Sequence, residues 1–285
     1  MLPGERGAAV VTGASSGIGA ATARELVKIG FTVFGTVRRT EDKAALEARG
    51  VRAVTLDVTQ QDTIEAAERA LRQAVGARGL RALVNNAGAP AGGPLELLPL
   101  AQFRAVLEVN LVGVLAVTQA FLPLLKTGRG RIVNISSVAG RAALPFMGPY
   151  SASKHGLEAL SDSLRRELVP YGIGVTVIEP GAIQSRIWDK VRWIDTAPYR
   201  DSVYEPVLVH FLERMLRGAR RSPEATIVGH AVARALTARR PPIRMLVSGH
   251  PFLDWLALRL PDRVVDWMLE KALWKGRAVP GGNKR

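Results

Sequence analysis

Cysteine is absent from the 285 residues, which excludes a disulfide framework, a thiol nucleophile and a Cys-ligated zinc site. Histidine is sparse. The four that occur, at positions 155, 210, 230 and 250, fall in no HExxH-type spacing, so no metal is expected. The opening residues lack the long apolar core of a signal peptide, and no uninterrupted apolar run approaches a membrane span. A cytoplasmic protein is therefore the expectation. Acidic residues are outnumbered, 25 against 39 basic ones, for a net charge of +14. Residues 212–285 alone carry an excess of nine basic side chains. Anionic lipid, nucleic acid or plain solubility could use that bias, and a solvated arginine-rich surface accounts for it most simply. No aromatic-interleaved basic groove or reading motif is present, so nucleic acid is not an expected partner.

What the chain does have is alternation. Short β-rich runs at 8–12, 31–37, 51–56, 82–85, 131–135 and 175–178 are separated by helical patterns at 18–29, 41–48, 61–75, 101–125 and 150–168. That order predicts an α/β fold with a parallel sheet covered on both faces. Thr40 is placed to cap the helix at 41–48. A helix at 223–238 and a seventh strand at 243–247 follow. With 47% hydrophobic residues, no repeat and no second boundary, residues 1–285 read as one domain with a sizeable core.

The first strand runs into the bend TGASSGIG at 12–19 and then a helix. Gly13, Gly17 and Gly19 let the backbone turn sharply and let a pyrophosphate approach the helix N-terminus, where free N–H groups and the dipole favour anions. Ser15, Ser16 and Ile18 complete the bend. Its G-x-x-x-G-x-G spacing is neither the usual G-x-G-x-x-G nor a P-loop. An adenine ribose would be read at the end of strand two, where a carboxylate repels a 2′-phosphate. Here Arg38 and Arg39 stand instead, and a guanidinium pairs with phosphate in bidentate fashion. Arg38 thus points to NADP(H), with NAD(H) as the alternative.

Tyr150 and Lys154, four apart, share one face of a helix. A neighbouring ammonium is expected to pull the phenol below its ordinary pKa of about 10, towards useful acid–base strength. Ser137 lies upstream, after strand five, where its hydroxyl could meet a reacting oxygen.

With TGASSGIG, Asp57-Val58, NNAG at 85–88, Asn110, Ser137, Tyr150-x-x-x-Lys154 and Pro180-Gly181 in order across residues 8–185, the chain resembles the short-chain dehydrogenase/reductase family. It is similar in particular to the steroid- and retinol-dehydrogenase-like members. The resemblance implies a Rossmann-type, doubly wound sheet of seven parallel strands with helices on both faces. It further implies hydride transfer between a nicotinamide and an alcohol or carbonyl, without metal. Tyr150 would be the acid/base and Lys154 would lower its pKa and hold the nicotinamide ribose. Ser137, with Ser136 as its alternative, would polarise the substrate oxygen, and Asn110 would bend the long helix and position a water beside the lysine. Asp57 and Val58 would border the adenine, and Asn86, Ala87 and Gly88 the adenosine ribose. Pro180, Gly181 and Ile183 would line the nicotinamide edge, with Ser185 where relatives often carry threonine. A non-catalytic NAD(P)-binding sensor or scaffold is the competing reading. Its mark would be a broken Ser–Tyr–Lys set, and here the set is intact.

Residues 186–222 form an irregular insert with Trp188, Trp193, Tyr199, Tyr204 and Phe211. The resemblance makes it a substrate lid suited to a lipophilic alcohol or carbonyl, with Leu95, Val138, Ala139, Phe146 and Met147 on the pocket floor. The alternative is that the aromatics merely pack the lid down. In the extension at 250–285, apolar segments at 252–260 and 264–274 flank Pro261. They could lie peripherally in a membrane interface, close the pocket or pack on a partner subunit. Acidic residues interrupting the polar face favour packing. A homodimer or homotetramer built on the long helices is a further implication of the resemblance.

Overall fold

Apolar β-branched and small residues dominate the short runs that become strands, and they hydrogen-bond side by side in parallel. In this computed structural model, which describes residues 4–184 and 194–274, seven strands among the described residues form one sheet. They are β1 (Ala8–Val11), β2 (Thr32–Val37), β3 (Arg52–Thr55), β4 (Leu80–Asn85), β5 (Arg131–Ile135), β6 (Gly174–Pro180) and β7 (Arg244–Val247). Their order is 3-2-1-4-5-6-7, every pair parallel, as the resemblance implied.

Each central strand feeds two cores because successive side chains point to opposite faces. Ala9, Val11, Val84 and Val133 meet α1 (Gly17–Lys28) and, later in the chain, α8 (Thr226–Thr237) through Leu26, Val228 and Val232. Ala8, Val10, Leu83 and Ile132 meet the other layer. There α3 (Gln61–Val75) offers Ile64, Ala67, Leu71 and Val75, one apolar stripe at helical spacing. Burying each such Val, Leu or Ile contributes about 1.5–3 kcal/mol. The short helix α2 (Lys43–Glu47) departs from expectation at its start: Thr40 opens a separate turn, Thr40–Asp42, and no side chain caps α2. Arg39 engages Asp42 at 3.3 Å in that turn.

The longest helical stretch among the described residues is Leu100–Gly128, 29 residues, long and apolar enough by length and composition to cross a membrane, although Arg104, Glu108, Asn110 and Gln119 interrupt its apolar run. It consists of α4 (Leu100–Leu107), a π turn over Glu108–Val112 and α5 (Gly113–Gly128). It lies over the sheet, with Val117, Phe121, Leu124 and Leu125 in the core. After β5 comes α6 (Gly148–Glu167), which carries Tyr150 and Lys154. A buried polar ladder ties these layers: Asn85 donates to Thr118 and to Asn134 (3.0 and 2.9 Å), and Asn134 donates to Ser161 (2.8 Å).

The insert is more regular than its sequence suggested. Residues 205–220 form a 16-residue helix, α7 (Glu205–Arg220), started by Pro206 and burying Val207, Leu208 and Phe211. Ser185, Trp188 and Trp193 lie outside the described residues. In the extension, α9 (Pro251–Ala257) and α10 (Asp262–Leu273) follow β7. Leu269, Leu273 and Trp274 pack on α7, as the packing expectation requires. Phe252, Leu253, Trp255, Leu256, Val264, Trp267 and Met268 do not; all are exposed.

Candidate active site

Strand order reverses between β1 and β4, and in open parallel sheets the carboxyl ends of the strands at such a reversal are where ligands bind. The glycine bend lies there. Thr12 Oγ1 accepts the backbone N–H of both Asn86 and Ala87 (2.9 Å each), while Asn86 Nδ2 donates to Thr12 O (2.9 Å) and Gly13 O (3.2 Å). Gly13 and Gly17 have φ of +65° and +56°, a region in which a side chain is strained. A Cβ on Gly19 would strike Gly13 O and Asn86 Nδ2, and one on Gly13 would lie 3.0 Å from Ala87 Cα. The bend is thus a cradle that side chains would fill. Ser16 is extended and its side chain makes no capping bond to α1, so it leaves the orphan N–H groups of the first turn for another acceptor. Ser15 is exposed and Ile18 half-buried beside them. A diphosphate fits this chemistry.

Beside the cradle, Gly13 N–H donates to Thr36 Oγ1 (3.2 Å), which brings the end of β2 against it. Arg39 is taken by Asp42 and Glu41. Arg38 is exposed and makes no ion pair among the described residues. Asp57 folds back on Thr59, accepting from its N–H (2.9 Å) and hydroxyl (2.8 Å). Val58 differs from its expected place in part. Its side chain belongs to the core and presses on Gly113, where a Cβ would lie 2.7 Å from Val58 O. The Ile183 side chain is likewise buried in the sheet core.

Asn110 sits in the π turn, fully buried. It clamps Ala89, accepting its N–H at 2.8 Å and donating to its carbonyl at 2.9 Å, and donates to Ser153 Oγ at 3.0 Å. Ser153 donates to Tyr150 O at 2.7 Å. Gly88 stands next to this clamp. One hydrogen-bonded path therefore links the residues after β4 to the Tyr150 turn of α6.

Lys154 is buried and donates from Nζ to Ile135 O, the last residue of β5, at 2.8 Å. The amine is 5.8 Å from the Tyr150 ring centroid. Burial lowers its pKa to about 8, against the pull of Glu158. Tyr150 corrects an expectation. Lost solvation raises its pKa, and the influence working the other way is a hydrogen bond with Ser137, not the ammonium. Ser137 Oγ also reaches Pro180 O (3.4 Å) and accepts from Ala139 N–H (3.1 Å). Ser136 is buried; its N–H donates to Ile178 O at 2.8 Å, while its hydroxyl has no hydrogen-bond partner among the described residues and lies against Gly140. Ser137, Tyr150 and Lys154 thus meet where β5 and β6 end.

Sequence reasoning missed what lies behind Lys154. Glu158, one turn on, accepts from Arg244 Nε at 3.0 Å; Arg244 also pairs with Asp162 (3.1 Å) and approaches Glu179 (3.6 Å). Arg141 pairs with Glu179 at 3.2 Å. Burial, then the nearby Glu158 carboxylate, raises the Glu179 pKa against both arginines. An i, i+4 Lys–Glu step was visible in α6, but Arg244 lies 86 residues away in β7. Arg244→Met should destabilise the protein by about 3 kcal/mol, since buried carboxylates lose their counter-charge. The deficit should shrink as pH falls and the freed carboxylates take up protons. Urea titrations at two pH values check this, and a loss under about 1 kcal/mol would mean that solvent replaces the guanidinium.

Of the expected pocket floor, Phe146 is buried and meets Phe211 edge-on at 5.6 Å, Val138, Ala139 and Met147 are half-buried, and Leu95 is 64% exposed. Tyr199 and Phe211 are buried with α7, and the Tyr204 hydroxyl donates to Glu96 at 2.6 Å. Tyr199, Tyr204 and Phe211 thus hold the described part of the insert against the body of the protein.

A diphosphate cradle and a phenol–amine pair on one sheet edge describe an oxidoreductase working with a nicotinamide. Residues 7–193 match the short chain dehydrogenase family. The chain is 36% identical over 278 residues to the NADPH-dependent 3-dehydrocapnine reductase of Ornithobacterium rhinotracheale, covering 94% of this chain and 97% of that one. It is 38% identical over 288 residues to mouse retinol dehydrogenase 5, covering 94% and 89%. A short chain dehydrogenase/reductase of Burkholderia phymatum, solved in complex with NAD, superposes with a TM-score of 0.77 at 26% identity, covering 99% of this chain and 100% of that one. The chain belongs to the short-chain dehydrogenase/reductase family and is an NAD(P)-dependent oxidoreductase acting on alcohol groups.

Proposed function

We propose that the protein interconverts a lipophilic secondary alcohol and its carbonyl, using NADP(H) in preference to NAD(H). The observation that carries this is the meeting of Ser137, Tyr150 and Lys154 at the ends of β5 and β6, beside the glycine cradle. Gly13, Ser15, Ser16, Gly17, Ile18 and Gly19 would hold the diphosphate; Asp57, Val58, Asn86, Ala87 and Gly88 the adenosine; and Pro180, Gly181, Ile183 and Ser185 the nicotinamide edge. When bound, the nicotinamide supplies or accepts the hydride.

The remaining chemistry belongs to the chain. For reduction, Ser137 donates a hydrogen bond to the carbonyl oxygen and Tyr150 delivers its proton there. For oxidation Tyr150 takes that proton back. Lys154, held by Ile135 O with its amine 5.8 Å from the Tyr150 ring centroid, would hold the nicotinamide ribose hydroxyls, while the hydrogen bond with Ser137 favours the phenolate that reduction leaves behind. Asn110 fixes the turn that carries the tyrosine. The relatives named for retinol and 3-dehydrocapnine support a lipophilic substrate. Assembly as a homodimer or homotetramer belongs to the same reading, and light scattering measures it.

A panel of steroid, retinoid and long-chain aliphatic carbonyls with NADPH and NADH, followed by absorbance, tests the reading; no turnover on any of them would refute it. Arg38→Asp should lower the NADPH-to-NADH preference by about tenfold or more, the worth of a charge-assisted pair. An unchanged ratio would remove Arg38 from the cofactor site.

A further inference from the structure

We propose that the outward faces of α9 and α10 dock on an anionic lipid bilayer and place the active-site mouth against it. The proposal deepens the lipophilic-substrate reading above. It begins with exposure: seven large apolar side chains crowd two short helices, from Val264 at 40% to Phe252 at 70%. Contiguous apolar surface of that kind marks an interaction site. Phe252 stacks on Trp255 at 6.0 Å, and with Leu246 and Pro251 they line an apolar cleft of about 400 Å³.

The arrangement of charge selects the occupant. In α10, residues four apart form stripes. Val265, Leu269 and Leu273 make the inward stripe, with Leu269 and Leu273 on α7. Asp262, Asp266 and Glu270 make a flank. Val264, Trp267, Met268 and Lys271 make the stripe facing away from the protein, with no carboxylate in it. The acidic residues that argued from sequence against a membrane therefore lie off the apolar face. Cations sit on the tryptophans: Arg259 lies 3.8 Å from the Trp255 ring centroid and Lys271 4.0 Å from that of Trp267. Indole beside a long basic side chain suits the headgroup layer, where the ring sits at the boundary and the cation meets phosphate.

The surface also borders the chemistry. A Cβ on Gly181, just past β6, would lie 2.8 Å from Ser248 Cβ and 3.3 Å from the Asp254 carboxylate, so α9 stands over the strand end that Ser137 touches. A substrate dissolved in the bilayer reaches that edge without crossing water.

Cosedimentation with phosphatidylcholine vesicles, with and without phosphatidylglycerol, tests the proposal on the full-length protein. Anionic vesicles should bind at least tenfold more tightly than neutral ones, with a blue shift of tryptophan emission. The double variant W255S/W267S should lose about tenfold or more of that binding, yet bind NADPH as the wild type does. Binding to neither vesicle, or equal binding to both, would overturn the proposal. So would a wild-type dimer that the double variant dissociates without any vesicle binding. Failure of the wild type to bind NADPH would count against the oxidoreductase reading alone, because vesicle binding is measured separately.

Discussion

Tyr150→Phe is expected to lower turnover by about 10²- to 10⁴-fold, the usual worth of a positioned acid–base group, while NADPH binding stays within a few-fold. The change removes one oxygen. It leaves the ring in place, and the anchors of its turn are backbone contacts: Ser153 bonds to Tyr150 O, not to the phenol. A fall in turnover with intact folding would therefore report the missing proton. Burial raises the phenol above its ordinary value, so in the free protein Tyr150 is protonated throughout the neutral range and set for reduction. Preserved turnover in the phenylalanine variant would end the proposed mechanism, since the other hydroxyls that follow β5, those of Ser136 and Ser137, are aliphatic alcohols and far weaker acids than a phenol.

Lys154→Met should abolish measurable turnover and also make the protein more stable near neutrality. The amine has its pKa lowered from the usual 10.5 to about 8 because it is buried, 4% exposed. Below pH 8 the folded protein must keep a desolvated charge that the unfolded chain keeps in water. A shift of that size corresponds to up to about 3 kcal/mol, reduced in the variant by the unpaired Ile135 carbonyl. The sign follows from proton counting. Between pH 8 and 10.5 the unfolded chain binds more protons than the folded one, so wild-type stability rises with pH across that window. The methionine variant lacks that rise, and its advantage should close by about pH 10. Urea unfolding at pH 7 and pH 10 reads both effects. Parallel pH profiles for the two proteins would show that the amine is not held as a buried charge.

Much of the fold could be read because its signals were local. β1, the bend at 12–19 and α1 announce themselves within one continuous stretch, and Tyr150 and Lys154 are a turn apart on α6. The failures have physical causes. The phenol was expected to be acidified by its neighbour, but Lys154 turns its amine to Ile135 O, and desolvation outweighs what remains. The stretch 205–220 looks irregular by its scattered aromatics and Pro206, yet the spacing of Val207, Leu208 and Phe211 is helical. Arg244 looked like a lone charge in an edge strand. Only folding brings it to Glu158 and Asp162 on α6. Asn110 is visible in the order of the motifs, yet its bonds to Ala89 and Ser153, each more than twenty residues away, are unreadable from spacing.

The π turn at Glu108–Val112 holds one residue more than ordinary α winding would place there. That residue is taken up locally, so the helix keeps its phase on both sides: Val117, Phe121 and Leu125 stay on the sheet and Thr118 reaches Asn85. A deletion inside the wide turn would therefore be felt first at Asn110 and its bonds to Ala89 and Ser153, whereas one placed further along α5 would turn every following side chain by about 100°.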